Sequence, residues 1–121
     1  MEQHIKFVSG DAELAGTIHI PEGLTGKQRL PAVILAHGFG GTKDGYHYLV
    51  TCPWLNERGF VALRFDFRGC GESGGEKGRV IWAEEVEDLR NAVNLLQAQR
   101  YVDPDRIGVI LKRAVQLERS G

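Results

Sequence analysis

The sequence predicts an α/β fold in which an N-terminal β-hairpin precedes a βαβαβ unit with a mostly parallel sheet. Short apolar runs typical of strands alternate along the chain with longer segments of helical periodicity. A segment of about 25 residues between two of these runs has the length of a βαβ crossover, which makes that pairing parallel. With 121 residues, 42% hydrophobic and 26% charged, the chain is expected to form one domain over 1–121.

The first three strands follow from the spacing of apolar residues. Alternation at 5–8 and at 13–20 predicts two strands, and the turn-forming residues 9–11 between them indicate a hairpin. Residues 32–36 are apolar throughout, which is typical of a strand buried on both faces of a parallel sheet.

The first helix is predicted around a proline. Residues 46–58 have a helical composition, but Pro53 lies within them. Because proline is best tolerated in the first turn of a helix, we expect a helix to begin near Pro53 and to end at Gly59, with 46–51 as a separate turn. Residues 60–65 predict another strand.

The second helix has the clearest periodicity in the chain. Apolar residues recur at intervals of three and four, at Trp82, Val86, Leu89, Val93 and Leu96. Its first turns carry acidic residues, interpreted as a solvated helix N-terminus, at Glu84, Glu85, Glu87 and Asp88. Beyond this helix we predict a turn at 103–105, a third buried strand at 106–111 and a short polar stretch at 112–121.

Composition argues against several classes of function. Fifteen Lys and Arg against sixteen Asp and Glu leave a net charge of −1, which gives no basis for binding nucleic acid. No window has the length and apolarity of a signal peptide or a membrane span, so we expect a cytoplasmic protein without a membrane partner. Cys52 and Cys70 are interpreted as free thiols, and no His or Cys spacing indicates a metal or a cofactor.

A glycine-rich loop directly follows the predicted strand 32–36. It consists of His37, Gly38, Phe39, Gly40 and Gly41. Its glycines allow backbone amides to turn toward an anion or a developing oxyanion, although an ordinary tight turn explains them equally well. At the end of a buried strand, His37 is expected to form local hydrogen bonds rather than to act as a base.

A second glycine-rich loop, 66–75, contains two motif matches in the wrong context. Its segment 69–74 reads G-x-G-x-x-G, but a dinucleotide-binding loop opens a helix at once, and here the helical pattern starts only near Trp82. Ser73 stands in a G-x-S-x-G match, yet no strand or helix adjoins it and all four histidines precede it. The context therefore favours neither a nucleotide site nor a nucleophile.

Together with the run at 103–109, the two loops resemble the amino-terminal half of an α/β-hydrolase, closest to the esterase and serine-aminopeptidase-like branch. The resemblance extends over residues 5–110 and implies a serine hydrolase that cleaves small-molecule esters or amides by acyl transfer. It places the backbone amide of Phe39 in the oxyanion hole. It also implies structural roles, bracing the top edge of the sheet, for Asp66, Arg68, Gly69, Gly71 and Ser73.

The chain departs from the family pattern after the predicted strand 107–110. The family continues there into a G-x-S-x-G nucleophile turn, whereas this sequence reads Leu-Lys-Arg-Ala-Val at 111–115. The resemblance therefore implies a partial fold, truncated before the nucleophile, with a divergent tail at 111–121 and no complete catalytic set. Such a chain is expected to be inactive alone, with a loss on the order of a million-fold.

Two other classes of function remain open. By the resemblance, further strands normally flank the strand 107–111, so its apolar edge predicts a noncatalytic module that self-associates or binds a separate carboxyl-terminal half. A nucleotide-binding βαβ protein is the third hypothesis, and it rests on the glycines of 69–74 alone.

Overall fold

The computed structural model describes residues 1–38, 41–79 and 81–111, so the tail after Leu111 lies outside the described residues. Its strands are β1 (Glu2–Ser9), β2 (Ala12–His19), β3 (Leu30–Ala36), β4 (Val61–Phe65) and β5 (Val102–Leu111). Its helices are α1 (Tyr46–Glu57) and α2 (Trp82–Gln97). Neither of these helices combines the length and apolarity that crossing a bilayer requires.

These strands form one mixed sheet in the order β1-β2-β4-β3-β5. β1 and β2 form the predicted hairpin, and β2 pairs antiparallel with β4. β3 pairs parallel with both β4 and β5, so the connections through α1 and α2 are βαβ crossovers. The α/β fold that the sequence predicts is confirmed.

Each face of the sheet has its own apolar core. On the α2 face, the buried side chains include Leu14, Ile18, Ile34, Leu63, Phe65 and Leu96. On the α1 face, they are Leu35, Tyr48, Cys52, Leu55 and Ala62. Burying a large apolar side chain stabilises a fold by about 1.5–3 kcal/mol, so the two layers hold the helices against the sheet.

α1 is one continuous helix, and the prediction of two pieces was wrong. Pro53 lies inside the helix, where it removes one backbone hydrogen bond. The buried residues Tyr48, Cys52 and Leu55 lie on both sides of this proline and pack against the sheet. This packing outweighs the local cost of proline, and the helix ends just before Gly59, as predicted.

The buried face of α2 differs from the predicted one. Its fully buried residues are Asp88, Ala92 and Leu96, whereas Trp82 and Val86 are exposed. Interpreting Asp88 as part of a solvated helix N-terminus was therefore wrong. A pattern search based on hydrophobicity misses this face because a carboxylate occupies one of its positions.

The predicted turn at 103–105 lies inside β5 instead of before it. The register between the two parallel strands shifts between Leu30 and Ala32 of β3, which marks an irregularity in β5. Within this segment, the Asp103 carboxylate accepts a hydrogen bond from the backbone N–H of Asp105 at 3.0 Å. The turn chemistry is present, but it produces a bulge in a strand.

The end of β5 is exposed, which contradicts the prediction of a buried strand. The exposed fractions are 42% for Val109, 51% for Ile110 and 45% for Leu111. Among the residues that the structure describes, β3 is the sole strand paired with β5. No other described strand covers the remaining edge of β5, and these three side chains are about half exposed there.

Candidate active site

The two glycine-rich loops lie at the same edge of the sheet. β3 and β4 are parallel, with Ala36 opposite Phe65, so His37 and Asp66 leave the sheet side by side. The carboxyl ends of parallel strands form the edge at which α/β sheets bind ligands. We therefore take this edge as the candidate active site.

His37 connects the two loops through both of its ring nitrogens. Its Nε2 accepts a hydrogen bond from the backbone N–H of Phe67 at 3.0 Å. Because Nε2 is an acceptor, the proton lies on Nδ1, which donates to the carbonyl of Gly38 at 2.9 Å. The ring also packs edge-on against Phe67, with centroids 5.0 Å apart. In this arrangement His37 is a buried bridge with no ring nitrogen free for a substrate proton.

Asp66 is fully buried and joins the second loop to the continuation of the first loop, which runs through Lys43 to the start of α1. Its Oδ1 accepts the backbone N–H of Lys43 at 2.7 Å, and its Oδ2 accepts the backbone N–H of Glu72 at 2.9 Å. The Lys43 ammonium also donates to Oδ2 at 3.1 Å. One carboxylate thus fixes the second loop and the continuation of the first.

Lys43 is a buried cation that sequence reasoning missed, and it contacts one buried and two exposed carboxylates. Its Nζ lies 2.5 Å from a Glu72 oxygen and 3.1 Å from oxygens of both Asp44 and Asp66. Burial alone would lower the pKa of Lys43, but its hydrogen bonds to Glu72, Asp44 and Asp66 raise it above the usual value. The three carboxylates are grouped as metal ligands would be, and the ammonium is bonded to all of them.

Arg64 extends this cluster across the α1 face of the sheet. Its guanidinium donates to Asp44 at 2.7 Å and, through Nε, to His19 Nε2 at 3.0 Å. Burial, followed by the positive charge of Arg64, lowers the pKa of His19 to about 4. His19 is therefore a neutral acceptor in the folded protein.

The hydroxyl of Ser73 is engaged in structural hydrogen bonds. Its Oγ donates to the carbonyl of Asp66 at 2.6 Å and accepts the backbone N–H of Ala15 at 2.8 Å. The side chain is buried. Ser73 therefore ties the second loop to β2, and its hydroxyl is not presented to a substrate as a nucleophile would be.

Backbone amides of the second loop are also used internally. The N–H of Gly69 donates to the carbonyl of Gly74, and the N–H of Gly74 donates to that of Glu13, both at 2.8 Å. Gly71 has a φ of +47°, and a Cβ there would collide with the Asp66 carboxylate. These contacts, and the start of α2 at Trp82, leave the G-x-G-x-x-G match without the phosphate-binding geometry.

A second ionic cluster lies on the α2 face around Arg68. Its guanidinium donates to Asp88 at 2.9 Å, Glu87 at 2.5 Å and Ser9 at 3.2 Å. The backbone N–H of Arg68 also donates to Asp88, at 2.8 Å, and the Ser9 hydroxyl donates to the same carboxylate at 2.6 Å. This cluster anchors the second loop to α2 and to the hairpin.

Part of the first loop lies outside the described residues. Phe39 and Gly40 belong to it, so the oxyanion-hole role of the Phe39 amide stays a prediction. Their flanking residues are connected, because the N–H of Gly41 donates to the carbonyl of Gly38 at 3.0 Å.

Comparison with known proteins identifies the family. The sequence matches the serine aminopeptidase S33 family over residues 27–107. The chain belongs to this family, and hence to the α/β-hydrolases. A similar relative is an uncharacterized 31.7 kDa protein from the traX-finO intergenic region of Escherichia coli, 38% identical over 98 residues, which are 79% of this chain and 32% of that protein.

Solved α/β-hydrolases share the fold. The α/β-hydrolase GrgF from Penicillium sp. sh18 has a TM-score of 0.82 and 26% identity, over 92% of this chain and 37% of that one. The esterase Pf2001 from Pyrococcus furiosus has a TM-score of 0.72 and 26% identity, over 92% of this chain and 41% of that one. The chain spans about a third of the length of the curated relatives it matches.

Proposed function

We propose that the chain forms the amino-terminal part of the active site of a serine hydrolase that cleaves small-molecule esters or amides by acyl transfer. The observation that carries the proposal is the bonding of Asp66 to both Lys43 and Glu72, which fixes two loops at the ligand-binding edge of the sheet. Membership of the S33 family and similarity to a solved esterase support the chemistry. No cofactor is required for it.

We further propose that residues 1–121 lack the nucleophile and are inactive by themselves. Ser9 and Ser73, the serines of the described residues, are buried and hydrogen-bonded. A serine nucleophile needs an exposed hydroxyl beside a base, and His37 has both ring nitrogens engaged. Catalysis then depends on groups supplied by other parts of the family fold.

The first experiment measures hydrolysis of p-nitrophenyl acetate and labelling by a fluorophosphonate probe. The 121-residue chain is expected to show neither above a buffer blank. The Ser73→Ala variant is the matched control, because it removes the serine of the G-x-S-x-G match. Turnover or labelling that disappears in this variant would show that Ser73 is a nucleophile after all.

The second experiment tests whether the chain can serve as part of a hydrolase. Residues 1–111 replace the structurally equivalent segment of the Pyrococcus furiosus esterase, and circular dichroism verifies that the chimera is folded. We expect the chimera to hydrolyse p-nitrophenyl acetate and to react with the fluorophosphonate. A folded chimera without either activity would contradict the proposed function.

We also propose a cytoplasmic location. Cys52 is buried and Cys70 is half-buried, and both are free thiols. Burial raises the pKa of Cys52 to about 12, so this thiol is inert at neutral pH. Unpaired cysteines are typical of proteins in a reducing compartment.

A further inference from the structure

A cleft of about 520 Å³ lies at the edge of the sheet opposite to the candidate active site. β3 begins at Leu30 and ends at Ala36, and the candidate active site lies at its Ala36 end. The cleft lies at the Leu30 end, between the loop 20–28 and residues 100–101, which precede β5. Its volume is within the range of small-molecule sites, about 300–1,000 Å³.

The walls of the cleft are tied to the middle of the sheet. The loop 20–28 connects β2 to β3 and therefore passes the start of β4, which is paired on both sides. The N–H of Leu30 donates to the carbonyl of Tyr101 at 2.8 Å, and the N–H of Ile20 donates to that of Met1 at the same distance. Backbone hydrogen bonds thus hold both walls, and the cleft lies on the side of β5 that β3 occupies.

The inner surface of the cleft is apolar. Ile20 is buried, and Leu24 and Tyr101 are partly buried and pack against the core on the α2 face. Pro21 completes this surface. Such a surface binds the hydrocarbon part of a ligand, because binding removes apolar area of both molecules from water.

The rim of the cleft is basic. Arg100 lines it and is exposed, and Glu22 is the one carboxylate among the described residues that line it. The loop also carries Lys27 and Arg29, one on each side of the lining residue Gln28. Positive charge beside an apolar surface is complementary to an anionic ligand with an apolar body.

We propose that this cleft binds a carboxylic acid with an apolar body, of the class of medium-chain fatty acids. The hydrocarbon part contacts Ile20, Leu24 and the ring of Tyr101. The carboxylate pairs with the guanidinium of Arg100, whose fork of N–H donors matches two carboxylate oxygens. The cleft is thus a binding site separate from the candidate active site.

Isothermal titration calorimetry with decanoate tests binding to the 121-residue chain. We expect saturable binding with a dissociation constant below about 1 mM. Decyltrimethylammonium, which has the same hydrocarbon chain and the opposite charge, is expected not to bind. A chain that does not bind decanoate in this range, or that binds both amphiphiles equally, overturns the proposal.

Two pairs of variants test the contacts. Arg100→Gln is expected to weaken decanoate binding about fivefold, whereas Arg90→Gln, which removes an exposed charge from α2, leaves it unchanged. Leu24→Ala is expected to weaken binding about tenfold, whereas Leu89→Ala, at a residue packed against the same core, leaves it unchanged. Circular dichroism verifies folding, and the arginine pair decides alone if a leucine variant is unfolded. Equal effects within a folded pair overturn the proposal.

A heteronuclear NMR titration of the isotope-labelled chain locates the ligand. Decanoate is expected to shift the amide signals of Ile20, Leu24 and Tyr101 and to leave those of His37 and Asp66 unchanged. The reverse pattern would place the fatty acid in the candidate active site and overturn the proposal. None of these readouts involves ester hydrolysis, so the binding site and the proposed activity fail independently.

Discussion

Two fully buried carboxylates near the candidate active site, Asp66 and Asp88, accept hydrogen bonds from different kinds of partner. Asp66 accepts two backbone N–H groups and the ammonium of Lys43, which is itself buried and shared with other carboxylates. Asp88 accepts the Ser9 hydroxyl, a backbone N–H and a guanidinium from Arg68. The first cluster joins two loops to each other, whereas the second joins one loop to the surrounding scaffold.

This difference indicates which of the two clusters contributes more to the stability of the site. Lys43 is the sole cation in contact with Asp66 among the described residues, and its side chain is 4% exposed. Arg68 is 12% exposed, and Asp88 keeps hydrogen bonds from Ser9 and from the Arg68 backbone even without the guanidinium. Loss of a buried partner charge costs most where nothing else compensates the remaining ion.

Lys43→Met is expected to have the largest effect on stability. It leaves Asp66 buried without its counter-ion, which lowers the free energy of unfolding by about 3–5 kcal/mol. Urea denaturation followed by circular dichroism measures the change. Lys6→Met is the control, because the Lys6–Glu13 pair is exposed and 3.9 Å apart, and its effect should stay within about 0.5 kcal/mol. A loss below about 1 kcal/mol for Lys43→Met would contradict the importance of the Asp66 cluster.

Arg68→Met is expected to have a smaller effect. The variant removes the guanidinium, but Asp88 still accepts hydrogen bonds from the Ser9 hydroxyl and from a backbone N–H. We therefore expect the free energy of unfolding to fall by about 2–3 kcal/mol. The same urea titration measures it, with Arg79→Met as the exposed control. If Arg68→Met destabilises the protein more than Lys43→Met, the order of the two clusters is reversed.

Apolar periodicity predicted the scaffold of the site but not the ionic clusters. Apolar residues alternate in the hairpin and are continuous in β3 because of which side chains are buried there, and both patterns are visible in the sequence. Lys43 stands between Thr42 and Asp44 in a loop without periodicity, so nothing local marks it as buried. Asp88 did have a signal, because it lies four residues before Ala92 on the inner face of α2.

Acid is expected to destabilise the fold through His19, which accepts a hydrogen bond from Arg64. Its pKa is 6.5 in the unfolded chain and about 4 in the folded protein, so the unfolded state binds a proton first as the pH falls. The contribution of neutral His19 to stability is complete above pH 6.5 and is lost toward pH 4. The free energy of unfolding should therefore fall by about 2 kcal/mol between pH 7 and pH 5. Urea titrations at both values measure it, with His47→Gln, at an exposed position, as the control. His19→Gln keeps an acceptor for Arg64 but has no titrating ring. The free energy of unfolding of this variant should therefore change little between pH 7 and pH 5. If it falls as much as in the unmodified chain, another group causes the acid sensitivity.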